Sequence, residues 1–366
     1  MQRNGSAILP LHYGHPPEKL FRRMIHLSGI LSSLIVEKFG TDQLLEKLSD
    51  PFWFHSFSLA IGFDWNSSGT TTATLAALKE FSNQADASFK ILGGKGEKMS
   101  LVRSEAMNSV ASGFSNETKI NKVLDSSKTI ARVDQNLLQD GYDLYMHFII
   151  LDEKSRWAII QQGMNHEARL ARRYHWLYRT AVNLIDDGRA GISATKREKS
   201  VLDLSTRISN ENRKGMLELV RDDPFRYRHI FGDRKQMTLY PENEKILDLD
   251  HRVDWNKLRE IYEYSPSDFR ELFMMHGVGN SMIRAISYLA EIVFGSEPSF
   301  SDPLKFSFAL GGKDGIPKPV NYGDYDKCLT FYSEVLSDYK SGRKESLTMV
   351  ENLAKAGFLV SSAWKP

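Results

Sequence analysis

Between Tyr142 and Gln162 the chain changes its hydrophobic period, and no other feature constrains the fold as much. Tyr142–Leu151 and Arg156–Gln162 are rich in Tyr, Phe, Ile and Trp, and the polar stretch Asp152-Glu153-Lys154-Ser155 separates them. Two such runs around a short polar turn predict an antiparallel hairpin. On the first strand Tyr142, Leu144, Met146 and Phe148 would share one face, with Asp143, Tyr145, His147 and Ile149 on the other. Helical patterns flank the hairpin on both sides. The expected fold class is therefore α+β, mostly helical, with a small central antiparallel sheet.

The flanking patterns are well punctuated. Leu20, Met24, Leu27, Leu31, Leu34 and Ile35 recur at three- and four-residue steps until Gly40, which suits the residue after a helix. Further helices are expected over Asp42–Leu48, the aromatic Phe52–Ile61, Thr70–Phe81, Ser100–Gly113, Glu117–Val133 and Glu211–Arg221. Phe89–Leu92 predicts a short strand that delivers Gly93-Gly94-Lys95-Gly96 as a loop, and the basic stretch Glu167–Asp186 predicts a helix. The serine-rich Ser109–Ser127 marks a boundary or mobile stretch, and the domain division expected is 1–130, 131–250 and 251–366.

Composition narrows the class of function. One cysteine, Cys328, in 366 residues excludes an internal disulfide and any multi-cysteine metal site. The longest apolar runs, Phe148–Leu151 and Ile30–Val36, fall far short of the ~18–20 residues of a membrane span. The first ten residues lack the apolar core of a signal peptide, so a cytoplasmic location without membrane contact is expected. The ten histidines show no ligand spacing, so neither a metal nor a cofactor is expected. Residues 166–235 carry 16 Lys/Arg against 10 Asp/Glu, which permits an anionic partner.

The strongest local motif runs from Ser265 to Ile286. Ser265 can cap a helix, Pro266 suits its first position, and Asp268 adds a capping carboxylate. Gly277 and Gly279 then leave no side chain to block a close approach, and the helix that follows aims free N–H groups at whatever lies before Asn280. Gly277, Val278, Gly279, Asn280, Ser281 and Arg284 are therefore candidates for phosphate contact. Lys313, in the Gly311-Gly312-Lys313 echo of Gly93-Gly94-Lys95, joins them. Pro266–Met275 and Ser281–Phe294 are the two helices expected around this turn.

This stretch resembles the helix-hairpin-helix module of DNA repair proteins, and Phe294-Gly295-Ser296-Glu297-Pro298-Ser299-Phe300-Ser301-Asp302 is similar to the tail of the helix-hairpin-helix DNA glycosylases. The resemblance implies DNA as partner and Asp302 as the catalytic aspartate facing a glycosidic bond. The intervening helix is about one turn longer here, and Ser281 stands where lyase-type members carry a lysine. A monofunctional glycosylase or a binding-only derivative is implied.

A second set of candidates surrounds the hairpin. Asp64, Ser68, Thr70, Lys95, Asp140, Tyr142, His147, Gln161, Gln162, Asn165, Arg172 and Arg173 bring amides for reading a base edge and cations for phosphate. The plainer reading is a solvated strand end beside a basic helix face. A metal nuclease would need Asp134, Asp140 and Asp143 to converge, and no Glu-x-Lys follows on the next strand.

From about Gly5 to Arg343 the chain also resembles the uncharacterised prokaryotic family known as domain of unknown function 763. Leu9-Pro10-Leu11-His12-Tyr13-Gly14, Gly62-Phe63-Asp64-Trp65-Asn66-Ser67-Ser68-Gly69-Thr70-Thr71 and Gln161-Gln162-Gly163-Met164-Asn165 carry that resemblance. It supplies no reaction. The expected function is nucleic-acid recognition, most readily of DNA, with glycosidic cleavage as the leading activity. A non-catalytic binding or scaffold protein is the alternative, and a metal nuclease the third choice.

Overall fold

The hairpin is the middle of a larger sheet. The computed structural model describes residues 16, 18–62, 68–85, 87–223, 226, 254–304 and 306–307. Its strands are β1 (Phe89–Lys95), β2 (Leu138–Gln139), β3 (Asp143–Asp152), β4 (Trp157–Asn165), β5 (Leu170–Leu177), β6 (Arg189–Ala194), β7 (Leu202–Asp203) and β8 (Phe306–Ser307). The main sheet has the order β1-β3-β4-β5-β6-β8. Its pairs are antiparallel except the short parallel pair β6–β8, and β2 pairs with β7 separately. The chain is α+β, as expected. Strands from all three expected stretches, 1–130, 131–250 and 251–366, enter this one sheet.

Helices cover both faces. On one side pack α1 (Glu18–Phe39), α2 (Thr41–Ser49), α3 (Pro51–Ala60) and α4 (Ser68–Gln84), whose Met24, Leu31, Leu45, Phe54, Phe57 and Leu78 meet Phe148, Ile150, Ile160 and Leu177. The other side is covered by α5 (Val102–Ala111), α6 (Glu117–Arg132), α7 (Asn210–Arg221), α8 (Trp255–Tyr264), α9 (Phe269–Met274) and α10 (Asn280–Phe294), packed on Ile149, Leu151, Ile159 and Trp176. With both faces buried, β3 and β4 have no solvent side. Their nearly continuous apolar runs follow from that.

Local chemistry accounts for the helix ends. Asp50 accepts from the N–H groups of Phe52 at 2.8 Å and Trp53 at 3.1 Å, with Pro51 in the first turn, a cap worth about 1 kcal/mol. Asn116 does the same for α6, so the serine-rich 109–127 stretch is largely the end of α5 and the first two-thirds of α6. Gly40 takes φ 83 between α1 and α2.

Four expectations are corrected. Glu167–Asp186 is not a helix: a turn leads into β5, where Arg172, Tyr174 and Trp176 face one side and Arg173, His175 and Leu177 the other. Buried arginines mimic the charge of an exposed helix face, and the period of two decides the matter. Gly93-Gly94-Lys95 continues β1 instead of forming a loop. Gly93 is needed because a Cβ there would lie 2.3 Å from the His147 carbonyl oxygen, at φ +92. The register slips between Leu144 and Met146, so the inserted Tyr145 joins the α1–α4 face while Leu144 packs with Tyr174 and Ile192. Finally, Ser265 closes α8 in the left-handed region at φ 52, and the next helix begins at Phe269 under the Asp268 cap, with Glu271 accepting from the Ser267 N–H at 2.6 Å.

Candidate functional site

Gln161 and Gln162 are neighbours in sequence and stand on opposite faces of β4, each fully buried. On the α6 side His147 Nδ1 lies 2.7 Å from Gln161 Oε1, and Ser127 Oγ lies 2.8 Å from His147 Nε2. The Gln161 amide donates to Asp134, which also accepts from Trp176 Nε1 at 2.8 Å and Arg189 Nε at 2.6 Å. The hydrogen bonds define the tautomer: Nδ1 of His147 carries the proton, because Gln161 offers it an oxygen. Burial lowers the His147 pKa and raises that of Asp134 against the pull of Arg189. This relay is closed on itself, and Gln161 has no amide edge left for a base.

Asp302 is buried beside the same sheet face. Arg172 donates to both its oxygens, through Nη1 at 3.0 Å and through Nη2, and the N–H groups of Glu198 at 2.7 Å and Leu304 at 2.9 Å complete its shell. Arg172 Nε also lies 3.1 Å from Asp140, which accepts from the Tyr174 hydroxyl at 2.8 Å and the Tyr142 N–H at 3.1 Å. Burial, aided by the Asp302 charge, pushes Asp140 up to about 6 against the pull of Arg172. The Tyr142 hydroxyl donates to Glu198 at 3.0 Å. Asp302, which the resemblance implies as the aspartate facing a glycosidic bond, ties the segment after α10 to β5 and the loop at Glu198. To meet a sugar it would have to give up Arg172.

The α1–α4 face carries the other amide. Gln162 Nε2 donates to the Ser68 carbonyl at 3.0 Å and to the Tyr145 hydroxyl. Beside it Arg173 donates through Nε to His175 Nε2 at 2.9 Å and through Nη1 to Thr71 Oγ1 at 2.9 Å. Ser68, Thr70 and Thr71 form the buried first turn of α4, so both strands dock on a helix N-terminus. Burial pulls the Arg173 guanidinium down to about 9.

The exposed candidates lie elsewhere. Between α9 and α10, Gly277 at φ 80 and Gly279 leave the turn bare, while Val278 is buried and its carbonyl accepts from Arg132 Nη1 at 3.0 Å. A Cβ on Gly277 would lie 3.1 Å from Lys257 Nζ, whereas one on Gly279 meets nothing within 4 Å. Asn280 Oδ1 accepts from the N–H of Ser281 at 2.8 Å. Arg284, expected at a phosphate, points inward and donates to Gln139 Oε1 at 2.7 Å.

The remaining candidates are dispersed. Lys95 is exposed at the end of β1, with its ammonium 5.4 Å from the Tyr145 ring centre, and Asn165 accepts from the Ala168 N–H at 2.8 Å. Asp64 and Lys313 lie outside the described residues. Asp134, Asp140 and Asp143 do not converge, and among the described residues no group of three His, Cys, Asp or Glu side chains is placed to hold a metal. Ser193, the cross-strand neighbour of Arg173, and Lys257 were not foreseen. For Ser193 the only signal is the alternation of Arg189–Ala194. No helix among the described residues is long and apolar enough to cross a membrane.

No curated protein and no solved structure matches the chain significantly. One family does, described as a protein of unknown function (DUF763), and it matches residues 5–320. With the match spanning the sheet, both helical layers and the turn before α10, the chain belongs to the domain of unknown function 763 family.

Proposed function

We propose that this protein binds nucleic acid, most readily duplex DNA, through the backbone of the turn between α9 and α10, and that it does so without cleaving a glycosidic bond. The carrying observation is the bare Gly277–Gly279 turn at the N-terminus of the 15-residue α10, with Lys257 beside Gly277 and its ammonium ion-paired with Glu260 at 2.6 Å. The Val278 carbonyl is turned inward to Arg132, while His276, Gly277 and Ser281 are exposed. Backbone N–H groups at a helix start suit a phosphate and read no sequence, and a phosphate bound there would share the Lys257 ammonium with Glu260. The filled shell of Asp302 supports the binding reading over the glycosylase one.

Fluorescence anisotropy with a labelled duplex, titrated across salt, tests this. Binding should weaken steeply with salt, and Lys257→Ala should lower affinity and reduce the salt slope by about one ion. Absence of binding at low salt, or a Lys257→Ala protein indistinguishable from the parent, would overturn the reading.

A further inference from the structure

Among the described residues one row of the sheet is electrically and chemically incomplete. Gln162, Arg173 and Ser193 are direct cross-strand partners on β4, β5 and β6, and all three are fully buried on the face covered by α3 and α4. Strands lie about 4.8 Å apart, so the row spans roughly 10 Å. Among the described residues each member has one buried atom without a hydrogen-bond partner: Gln162 Oε1, Arg173 Nη2 and Ser193 Oγ. Such atoms are rare in folded proteins, and three in one row mark a place where something else belongs.

The charge of Arg173 says what belongs there. Arg172 meets Asp140 and Asp302, and Arg189 meets Asp134, but among the described residues no carboxylate contacts Arg173. Its guanidinium lies 4.6 Å from the Phe54 ring centre and, among the described residues, donates to the neutral His175 and Thr71 alone. The positive end of the α4 dipole lies at the same spot, since Thr71 and the Ser68 carbonyl that Gln162 bonds belong to its first turn. The Arg173 charge is felt nearby: burial, aided by it, lowers His55 to about 3 and also lowers His175. A buried cation without a counter-ion costs several kcal/mol.

A water molecule would bridge the three atoms and leave the charge where it is. An anion removes the charge, and Gln162 selects among anions, because its free atom is an acceptor and requires a donor. An oxyanion that retains a proton meets every demand: it accepts from Arg173 Nη2 and from the Ser193 hydroxyl and donates its own O–H to Gln162 Oε1. Hydrogen phosphate carries such a proton at neutral pH, and a phosphate monoester, with a second pKa of about 6, carries one in its monoanion, the form this site would select. Sulfate, fully ionised, does not.

We propose that the α4 N-terminus and the Gln162–Arg173–Ser193 row form a binding site for a phosphate group that retains a proton. The site is independent of the turn before α10 and of the nucleic-acid reading.

The test is thermal unfolding and calorimetric titration of the full chain, freed of anions by dialysis, with inorganic phosphate, sulfate at matched ionic strength, and ribose 5-phosphate. Phosphate should raise Tm and bind at one site, while sulfate should do neither. Ser193→Ala removes one donor to a charged ligand and should weaken phosphate about tenfold. Ser193→Asp places a carboxylate beside Arg173, and should raise Tm in anion-free buffer and abolish the response to phosphate. Ribose 5-phosphate competing with phosphate would identify an esterified ligand, and phosphate binding without that competition would identify the free ion; either supports the site. Equal responses to phosphate and sulfate, no response to either, or a phosphate response unchanged in both Ser193 variants would overturn it. DNA affinity should be the same in the Ser193 variants as in the parent, so failure here leaves the nucleic-acid reading standing.

Discussion

Arg172 on β5 grips both carboxylate oxygens of Asp302, 130 residues further along the chain, and both side chains are wholly buried. The pair anchors the segment after α10 to the central sheet, and Arg197 reinforces it by donating to the backbone oxygens of Asp302 at 3.2 Å and Leu304 at 2.8 Å. Removing one partner leaves the other charge buried and incompletely paired.

Asp302→Ala should therefore destabilise the fold by about 3–5 kcal/mol, read as a lower denaturation midpoint. DNA affinity of the folded fraction should stay within a few-fold of the parent, and neither protein should release bases from an oligonucleotide. A variant as stable as the parent, or base release by the parent that Asp302→Asn abolishes, would restore the catalytic role.

Glycine substitutions should separate by position. Gly93→Ala drives a Cβ into the His147 carbonyl oxygen from a positive φ, and should cost at least about 2 kcal/mol in chemical denaturation. Gly279→Ala has free space and an ordinary φ of −101, and its unfolding curve should overlay the parent's.

His55, His147 and His175 are all held neutral by burial, with Arg173 adding to the effect at His55 and His175. Their folded pKa values lie below the unfolded value near 6.5, so the stability they contribute is present above about pH 6.5. It is lost as pH falls further, by about 1.4 kcal/mol per pH unit for each neutral imidazole. Asp140, raised to about 6, acts in the opposite sense between about pH 6 and about pH 4, where the folded state takes up the proton first. The two trends offset each other in a melting curve, so imidazole chemical shifts are the clean readout. The His55 and His175 rings should show no inflection between about pH 8 and about pH 5, the His147 ring should titrate only below about 6.5, and an inflection at or above about 6.5 at any of the three would contradict the burial argument.

Much of the fold is legible in residues that act locally. Asp50-Pro51, Gly40 and the apolar spacing of α1 specify their helices, and the Asp152–Ser155 turn specifies the hairpin. What lay beyond reading was the outcome of distant pairing. Arg172 and Arg173 look alike in the sequence, and only β5 sends one to two aspartates and the other to α4. The β3 bulge at Tyr145 depends on the partner strand and changes which side chains share a face. Among the site residues, the adjacency of His147 and Gln161 and the bare turn at Gly277 and Gly279 follow from spacing. The inward course of Arg284 to Gln139 and the joining of Ser193 to Arg173 required the folded sheet.

The central claim, that the backbone of the turn before α10 contacts nucleic acid, is tested most directly by Gly279→Val measured against the parent on several unrelated duplexes. The position has open space, so the variant should keep the parent's Tm while its added side chain holds a phosphate away from the N–H groups. The account predicts a similar loss of affinity, about tenfold or more, on every duplex. Parent and variant binding every duplex equally well would contradict it.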